Sequence, residues 1–180
     1  LKLESKMVDI GKYKELTWLH TTGLSLVRNP ARSTILSAMK YAKRVKVPVS
    51  FDLNLRAGKI EGELASEYRY YVNEAIKLSD YVLGSSTDEI PLLSSCLDIE
   101  SAAKSIASNE RFVVSRSSEK GAICTNGSNV VSTSAIAVDV VDSIGAGDAF
   151  NAGFIAARLE HKSILQSLNW GHATAAISLS

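Results

Sequence analysis

The sequence is poor in the residues that build metal centres, disulfide frameworks and membrane spans. Its 180 residues include only two cysteines and three histidines, and Cys96 and Cys124 lack the spacing of a metal-binding pair. We therefore expect both cysteines to pack as small hydrophobic side chains in a reducing compartment. No apolar run approaches the length that crosses a bilayer, and the first residues do not form a signal peptide. These absences favour a cytoplasmic protein without a membrane segment.

An excess of charge of one sign is also missing. Twenty Lys and Arg residues face 19 Asp and Glu residues, which gives a formal net charge of +1 at pH 7. Such a balance gives no broad attraction to nucleic acid or to a lipid surface. Hydrophobic residues make up 46% of the chain, which is enough for a sizeable core. Since no linker or repeat divides the sequence, we expect a single core over residues 1–180.

Two common phosphate-binding motifs are absent. No Gly-Lys-Ser/Thr sequence is present, which excludes a Walker loop, and a dinucleotide fingerprint would need a glycine near position 150, where the chain has Phe150. The chain has instead Gly145 and Gly147, directly followed by Asp148, between a β-rich run at 137–141 and a helical pattern that continues to about residue 159. A glycine-rich turn is therefore predicted where a strand meets a helix.

This turn combines groups that suit phosphoryl transfer. Gly145 and Gly147 allow open backbone conformations and close approach of a ligand, and the amides at a helix start are unpaired donors that favour an anion. Asp148, in the first helical turn, provides a carboxylate that can accept a hydroxyl proton. The four residues alone have a second interpretation, because Gly-x-Gly-Asp before a helix is also typical of a tight turn with a capping aspartate.

The longer stretch around this turn is more specific. Asp-Ser-Ile-Gly-Ala-Gly-Asp-Ala-Phe, which begins at Asp142, closely resembles the Asp-Thr-x-Gly-Ala-Gly-Asp signature of the ribokinase-like (PfkB) carbohydrate kinases. Ser143 replaces the threonine and keeps the hydroxyl. The resemblance implies that Asp148 is the catalytic base, that Gly145, Ala146 and Gly147 form an anion hole, and that ATP with Mg²⁺ donates the γ-phosphoryl group.

A second run indicates the substrate. Asp52, Asn54 and Arg56 are similar to the Asp-x-Asn-x-Arg of the family's 2-keto-3-deoxygluconate kinases, and 20–26 is similar to another run of that branch. A guanidinium pairs two oxygens at once, which suits a carboxylate or a phosphate. The resemblance thus implies a sugar acid as the acceptor. Taken alone, 52–56 is also compatible with a surface loop whose Asp and Asn stabilise a turn.

Two further segments are expected to contact the nucleotide. The run from Ser115 to Gly121 resembles the family's Lys-x-Gly-x-x-Gly turn, with Gly121 retained and Ser115 and Ser117 in place of the lysine and the first glycine. His172 stands where many relatives have an asparagine near the adenine. Its ring could stack on the base there, but a lone histidine more often caps a helix, here the final one.

The metal site is expected in a third segment. Ser85 to Glu89 occupies the place of the family's Asn-x-x-Glu, which organises magnesium and phosphates, and here Asp88 or Glu89 supplies the carboxylate. Magnesium prefers oxygen ligands that it shares with water and phosphate. A capping cluster at a helix start explains the same residues.

The alternation of apolar runs predicts an α/β fold with a parallel sheet and an antiparallel edge. Ligands of such sheets bind beyond the carboxyl ends of the strands, where the polar clusters of this sequence fall. The resemblance specifies a ribokinase-like three-layer α/β/α sandwich. Strands are predicted at 16–20, 47–52, 80–84, 111–115, 122–125, 129–132 and 136–140, and helices at 30–45, 62–78, 99–108, from 147 and from 163.

The sequence begins without Met and ends within an apolar helical run, which predicts a piece of a longer kinase whose N-terminal region and lid lie outside it. Relatives often pair through that lid, so a homo-oligomer is a possible state. Two alternatives stay open at this point: a kinase for a neutral sugar such as fructose or ribose, and a non-catalytic nucleotide-binding relative.

Overall fold

The structure, a computed structural model, describes residues 15–55, 63–96 and 98–180, with only the backbone described at 63–65. The described residues up to Gly84 form one compact unit, and Ser85–Ser180 form a second. The division concerns compactness alone, so the expectation of a single catalytic core stays a prediction.

Strands and helices alternate along most of the chain. The strands are β1 (Leu19–Thr22), β2 (Val49–Asp52), β3 (Tyr81–Ser85), β4 (Phe112–Arg116), β5 (Ala122–Thr125) and β6 (Val130–Thr133). The helices are α1 (Ala31–Arg44), α2 (Glu63–Lys77), α3 (Ile90–Leu93), α4 (Ile99–Ile106), α5 (Ala146–Leu159) and α6 (Ile164–Leu179), with 3₁₀ turns at Gly23–Leu26 and Ser118–Lys120.

The first unit is built on parallel strands. β1 pairs with β2 and β2 with β3 in parallel register, with Thr22 opposite Asp52 and Asp52 opposite Leu83. All four residues of β2 are buried, as expected for a strand covered on both faces. Helix α1 contacts β1 and β2, and its buried side chains include Met39. The parallel register brings the carboxyl ends of β1 and β2, with Thr22 and Asp52, side by side.

The second unit is built on antiparallel strands. β4 pairs with β5 and β5 with β6, as a meander joined by short turns. Helix α6 contacts β5 and β6, α5 packs along α6, and α4 contacts β4. The core of this unit contains Val113, Val114, Phe154 and Leu168, all fully buried. This packing fixes the start of α5 and the end of β4, which form the site described below.

Most predicted elements are present, and their ends differ by a few residues. The predicted strand at 136–140 is wrong, because this segment forms no strand. Its alternating Ile136, Val138 and Val140 line a cavity instead, and a strand needs a neighbour to complete its hydrogen bonds. Cys124 packs in β5 as expected, and burial raises the pKa of its thiol to about 12.

Candidate active site

The glycine-rich turn begins helix α5. Gly145 is the N-cap residue and has φ +83° and ψ −4°, the left-handed conformation that glycine adopts without a steric penalty. The helical ladder starts with the Ala149 amide, which donates to the Gly145 carbonyl at 2.8 Å. Within the described residues, no side chain caps this helix start. The first-turn amides are therefore oriented as an N-terminal anion site requires.

Asp148 lies in the first turn of α5 and is exposed to solvent. An added Cβ at Gly145 would meet no heavy atom of the described residues within 4 Å, so these residues leave the space beside the turn open. The turn thus places a solvent-accessible carboxylate next to uncapped helix amides, as its sequence predicts. The catalytic roles of Gly145, Ala146, Gly147 and Asp148 stay predictions.

Arg116, at the end of β4, holds this turn from one side. Its Nη1 donates to the Gly147 carbonyl at 2.9 Å and to Asn151 Oδ1 at 2.6 Å. Its Nη2 lies 3.9 Å from Glu89 Oε2. An added Cβ at Gly147 would come within 3.2 Å of Nη1. Arg116 therefore lies against the start of α5, and the missing side chain of Gly147 allows that close approach.

The segment 85–89 folds into a compact polar turn. Glu89 is buried, and its Oε2 accepts the Ser85 amide at 2.7 Å. Asp88 is exposed, and its Oδ2 accepts the hydroxyls of Ser85 at 3.1 Å and Thr87 at 3.0 Å. The two carboxylates predicted for the metal therefore differ. Glu89 is turned toward Ser85 and Arg116, whereas Asp88 faces solvent.

The predicted nucleotide turn closes between Ser117 and Gly121. The Ser117 amide donates to the Gly121 carbonyl at 2.8 Å, and the Ser117 hydroxyl donates to Ser86 Oγ, also at 2.8 Å. Gly121 has φ +96°, and a Cβ there would come within 1.9 Å of the Thr133 carbonyl oxygen, so this position requires glycine. The turn thus joins β4 to β5 in one fixed conformation.

The φ angles of this turn show which of its residues match the two glycines of the Lys-x-Gly-x-x-Gly motif. Ser118 has φ +50°, whereas Ser117 has φ −118°. The left-handed positions are therefore Ser118 and Gly121, three residues apart, as the glycines of Gly-x-x-Gly are. This spacing places Arg116, rather than Ser115, at the lysine position. Ser115 is fully buried in β4, and the nucleotide roles assigned to Ser115 and Ser117 stay predictions.

A cavity of about 880 Å³ lies beside these segments, entirely within the second unit. Its volume falls in the range of small-molecule sites. Among the predicted residues it brings together Ala146, Gly147, Ser117, Gly121 and His172. Its lining also includes apolar side chains, among them Ile136, Val138 and Val140. A lining that offers both polar and apolar groups is what a phosphate joined to an aromatic base would need.

His172 forms part of the cavity wall. Its ring packs edge-on against Phe150, with the centroids 5.1 Å apart, and its Nε2 lies 3.0 Å from Thr133 Oγ1. Burial lowers the pKa of His172 below its ordinary value of 6.5, because a desolvated ring disfavours the cation. The ring is thus held as a neutral, oriented wall of the cavity, and its predicted contact with the base stays a prediction.

The substrate residues predicted from the second run belong to the first unit. Asp52 is buried at the end of β2, and Asn54 has φ +38° in the loop that follows. The hydroxyls of Thr21 and Thr22, at the end of β1, are buried and have no hydrogen-bond partner among the described residues. Arg56 lies outside the described residues. Polar groups thus do collect at the carboxyl ends of β1 and β2.

Sequence reasoning missed Arg116, Asn151 and Phe150 as site residues. Arg116 lies inside the predicted nucleotide turn, and the one-residue shift in the position of the first glycine concealed it. Asn151 and Phe150 follow Gly147 by four and three residues, so they lie within about one helical turn of Gly147 and Asp148. The helical period therefore offered a signal for both.

Among the described residues, the helices are each too short or too polar to cross a bilayer. In the same part of the chain, the side chains of His, Cys, Asp and Glu do not gather in threes as a protein-built metal site would need.

Comparison with known proteins adds to this geometry. The chain is 28% identical over 176 residues to a fructokinase of Vibrio alginolyticus, a match that covers 94% of this chain and 57% of the relative. It is 28% identical over 184 residues to a 5-dehydro-2-deoxygluconokinase of Clostridium beijerinckii, with 98% and 53% covered. The chain therefore spans just over half the length of these curated relatives.

The fold also matches a solved structure. A double mutant of the fructokinase of Vibrio cholerae O395, bound to fructose, ADP and potassium ion, superposes with a TM-score of 0.81 at 30% identity, over 91% of this chain and 54% of that one. This confirms the predicted ribokinase-like α/β fold. The family model described as "pfkB family carbohydrate kinase" matches residues 3–180. The match confirms the predicted resemblance, and the chain belongs to the pfkB family of carbohydrate kinases.

Proposed function

We propose that the protein containing this chain is an ATP-dependent kinase that phosphorylates a hydroxyl of a small sugar or sugar acid. The observation that carries the proposal is the uncapped, glycine-rich start of α5, with exposed Asp148 in its first turn and a cavity of about 880 Å³ beside it. Membership of the pfkB family supports the same conclusion. Since ATP is a cytosolic substrate, the proposal includes a cytoplasmic location.

Asp148 accepts the proton of the attacking hydroxyl. The amides at the start of α5, after Gly145, stabilise the negative charge on the transferring phosphoryl group, aided by the positive end of the helix dipole. Open space beside Gly145 leaves room for that group. The protein contributes mainly positioning and electrostatic stabilisation, which is what phosphoryl transfer needs.

The cavity binds the nucleotide. The polar turn that includes Ser117 and Gly121 lies toward the phosphates, and the apolar wall with His172 and Phe150 takes the base. The neutral state of His172 suits this role, because a charged ring would have to be desolvated against an aromatic base.

Magnesium fits the residues present. Mg²⁺ keeps several waters and uses one or two protein carboxylates together with substrate phosphates. Asp88 presents an exposed carboxylate at the cavity edge formed by Ser85 and Thr87, and Glu89 supports the same turn through the Ser85 amide. When bound, the ion would neutralise charge on the phosphate oxygens.

The acceptor is a keto-sugar acid, and Arg56 binds its carboxylate or the transferring phosphate, with Asn54 and Asp52 as hydrogen-bonding partners of the substrate. The similarity to a kinase named for 5-dehydro-2-deoxygluconate supports this choice. The hydroxyls of Thr21 and Thr22 beside Asp52 are buried and have no partner among the residues that the structure describes, so they are polar groups of the kind that a sugar would satisfy.

A neutral sugar is the second candidate. The similarity to two fructokinases, one of them solved with fructose bound, favours it. A neutral sugar would bind through hydroxyl hydrogen bonds and would need Arg56 less. A third possibility, a non-catalytic nucleotide-binding relative, is suggested by serine in the first glycine position of the nucleotide turn.

One assay separates these candidates. The intact protein is given ATP, Mg²⁺ and matched panels of acidic and neutral sugars, and ADP release is followed. A preference for a keto-sugar acid that disappears in Arg56→Met, with neutral sugars unaffected, supports the first proposal. A preference for fructose or ribose in both proteins favours the second. ATP binding without turnover on any sugar would contradict the kinase proposal. Light scattering of the same sample tests the proposed homo-oligomer.

A further inference from the structure

Arg116 joins three segments around the cavity, and the proposed reaction assigns it no role. It ends β4, its Nη1 reaches the first turn of α5 at Gly147, and its Nη2 faces Glu89 in the turn after β3. Its backbone carbonyl accepts the Ser86 amide at 2.8 Å. The predicted nucleotide turn at 117–121, the polar turn at 85–89 and the start of α5 therefore all meet at Arg116.

We propose that Arg116 is a positioning residue that sets the direction of the Asp148 amide and the place of the Asp148 carboxylate. The proposal rests on the proposed function, in which both groups act on the transferring phosphoryl group. Asn151 shares this role, because it holds the same guanidinium nitrogen one helical turn further along α5.

The peptide geometry explains how the effect reaches Asp148. The carbonyl of Gly147 and the amide of Asp148 belong to one planar peptide unit. A hydrogen bond of 2.9 Å from Arg116 to that carbonyl therefore also fixes the direction in which the Asp148 amide points. The guanidinium is rigid and planar, so its second bond to Asn151 Oδ1 fixes its orientation against the helix.

The positive charge of Arg116 lies at the N-terminus of a helix, where it does not stabilise the helix itself. A cation at the N-terminus of a helix opposes the helix dipole, which favours anions there. The same charge strengthens the attraction of this helix start for a negatively charged group. Glu89 lies near enough to balance part of it, and that carboxylate is itself held by the Ser85 amide. The charge therefore strengthens the hydrogen bonds of Arg116 to Gly147 and Asn151, and it also favours an anion at this helix start.

Asn151 provides independent support. It is 1% exposed, its Oδ1 accepts from Arg116, and its Nδ2 has no partner within the described residues. A buried amide with an unsatisfied donor costs stability. The bond to the Arg116 guanidinium offsets part of that cost.

The test uses Arg116→Lys, Arg116→Ala and Asn151→Leu in the intact protein. Arg116→Lys keeps the charge and loses the planar fork. Because small misplacements of reacting groups cost up to about 100-fold in rate, we expect both arginine variants to lower kcat by about 10- to 100-fold while KM for ATP changes by less than about threefold. Asn151→Leu should lower kcat less, by roughly three- to tenfold, since one of the two bonds remains. Ethylguanidinium should partly restore kcat of Arg116→Ala and leave the parent unchanged.

Three results would overturn the proposal. The first is kcat within about twofold of the parent in folded Arg116→Lys and Arg116→Ala. The second is a rise in KM for ATP with kcat unchanged, which would make Arg116 a nucleotide contact instead. The third is a fall in kcat that tracks lost thermal stability and that ethylguanidinium does not restore. If the arginine variants do not fold, Asn151→Leu decides between the same outcomes.

Hydrogen exchange separates this inference from the proposed function. If the parent phosphorylates no sugar, the proposed function fails, and exchange of the Ala149 amide, which donates to the Gly145 carbonyl in the first turn of α5, still tests the tie. Faster exchange there in Arg116→Lys, with α6 unchanged, supports it. Unchanged exchange at the start of α5 contradicts it.

Discussion

Two arginines show how the two units of this chain use the same side chain. Arg32 in the first unit is buried, and its Nε and Nη2 donate to the carbonyls of Leu26 and Val27, both at 2.9 Å. Its guanidinium also lies over the Tyr71 ring, 4.2 Å from the centroid. Arg116 in the second unit lines the cavity and donates to the helix turn that precedes Asp148.

The difference lies in what each arginine satisfies. Arg32 provides donors to backbone carbonyls at the end of a 3₁₀ turn, which would otherwise be left without partners in the core. Arg116 donates to a carbonyl in a helix, which already has a place in the helical ladder. Arg32 is therefore required by the fold, and Arg116 is better explained by what the start of α5 does.

We expect the largest effect on turnover at Asp148, the proposed catalytic base in the second unit. Asp148→Asn removes the proton acceptor, so we expect kcat to fall by about 100- to 10,000-fold with ADP affinity nearly unchanged. Steady-state kinetics and calorimetric ADP titration measure the two quantities. Asp139→Asn, an exposed aspartate of the preceding segment, is the matched control. Turnover within a few fold of the parent would remove Asp148 from this role.

Variants of two glycines in the second unit can distinguish the effect of backbone strain from a loss of function. Gly145 and Gly127 have φ +83° and +90°, and a Cβ at either would meet no atom within 4 Å in the part of the chain that the structure describes. Valine at either position should therefore cost a similar roughly 1–3 kcal/mol of stability, from the strained backbone. We expect only Gly145→Val to lose turnover, by about 100-fold or more, because the new side chain occupies the anion site. Equal kinetic losses in both variants would mean that strain alone lowers the rate.

Arg32 should give the largest loss of stability in the first unit. Arg32→Met leaves the Leu26 and Val27 carbonyls without their donor, and we expect unfolding free energy to fall by roughly 2 to 4 kcal/mol. Glu67→Gln is the control, since the Glu67 side chain is 51% exposed and its ion pair should contribute under about 1 kcal/mol.

The two tryptophans make this measurement specific to one unit. Trp18 lies in the first unit, stacked on Tyr81, and Trp170 lies in the second. In a Trp170→Phe background, urea unfolding followed by Trp18 fluorescence reports the first unit. Arg116→Ala is followed by Trp170 fluorescence in a Trp18→Phe background, because Arg116 lies in the second unit. If it lowers stability as much as Arg32→Met does and leaves kinetics unchanged, the two arginines have the same structural role.

Local sequence patterns identified the elements and the start of α5 well, because period and glycine placement act over a few residues. The helical period placed the start of α5 within one residue, and the β-rich runs located β4 and β5. The β-rich composition at 136–140 was misleading, because four of these five residues line the cavity without forming a strand. Apolar residues in a short run report contact with an apolar space, and a sheet is only one such surface.

The contacts of Arg116 could not be predicted from its sequence neighbourhood. Gly147 and Asn151 follow it by 31 and 35 residues, and the packing of α5 along α6 and of α6 on β5 and β6 decides their meeting. The shift from Ser117 to Ser118, by contrast, could have been read from the sequence, because Gly-x-x-Gly counted back from Gly121 places its first glycine at position 118. The sugar depends on residues such as Arg56 that lie outside the described structure.

The smallest expected effect is on the pH dependence of the unfolding free energy, and it concerns His172 in the second unit. Its pKa is lowered by burial, so below about pH 6.5 the unfolded chain binds a proton there more readily than the folded chain does. The contribution of His172 to unfolding free energy should therefore be constant above that pH and be lost as pH falls below it. His172→Gln should remove this part of the pH dependence, measured by urea unfolding in a Trp18→Phe background where Trp170 is the reporter. His161→Gln, at an exposed histidine of the same unit, should leave it unchanged. The same loss of stability with falling pH in His172→Gln would place the titrating group elsewhere and leave His172 as a wall of the cavity only.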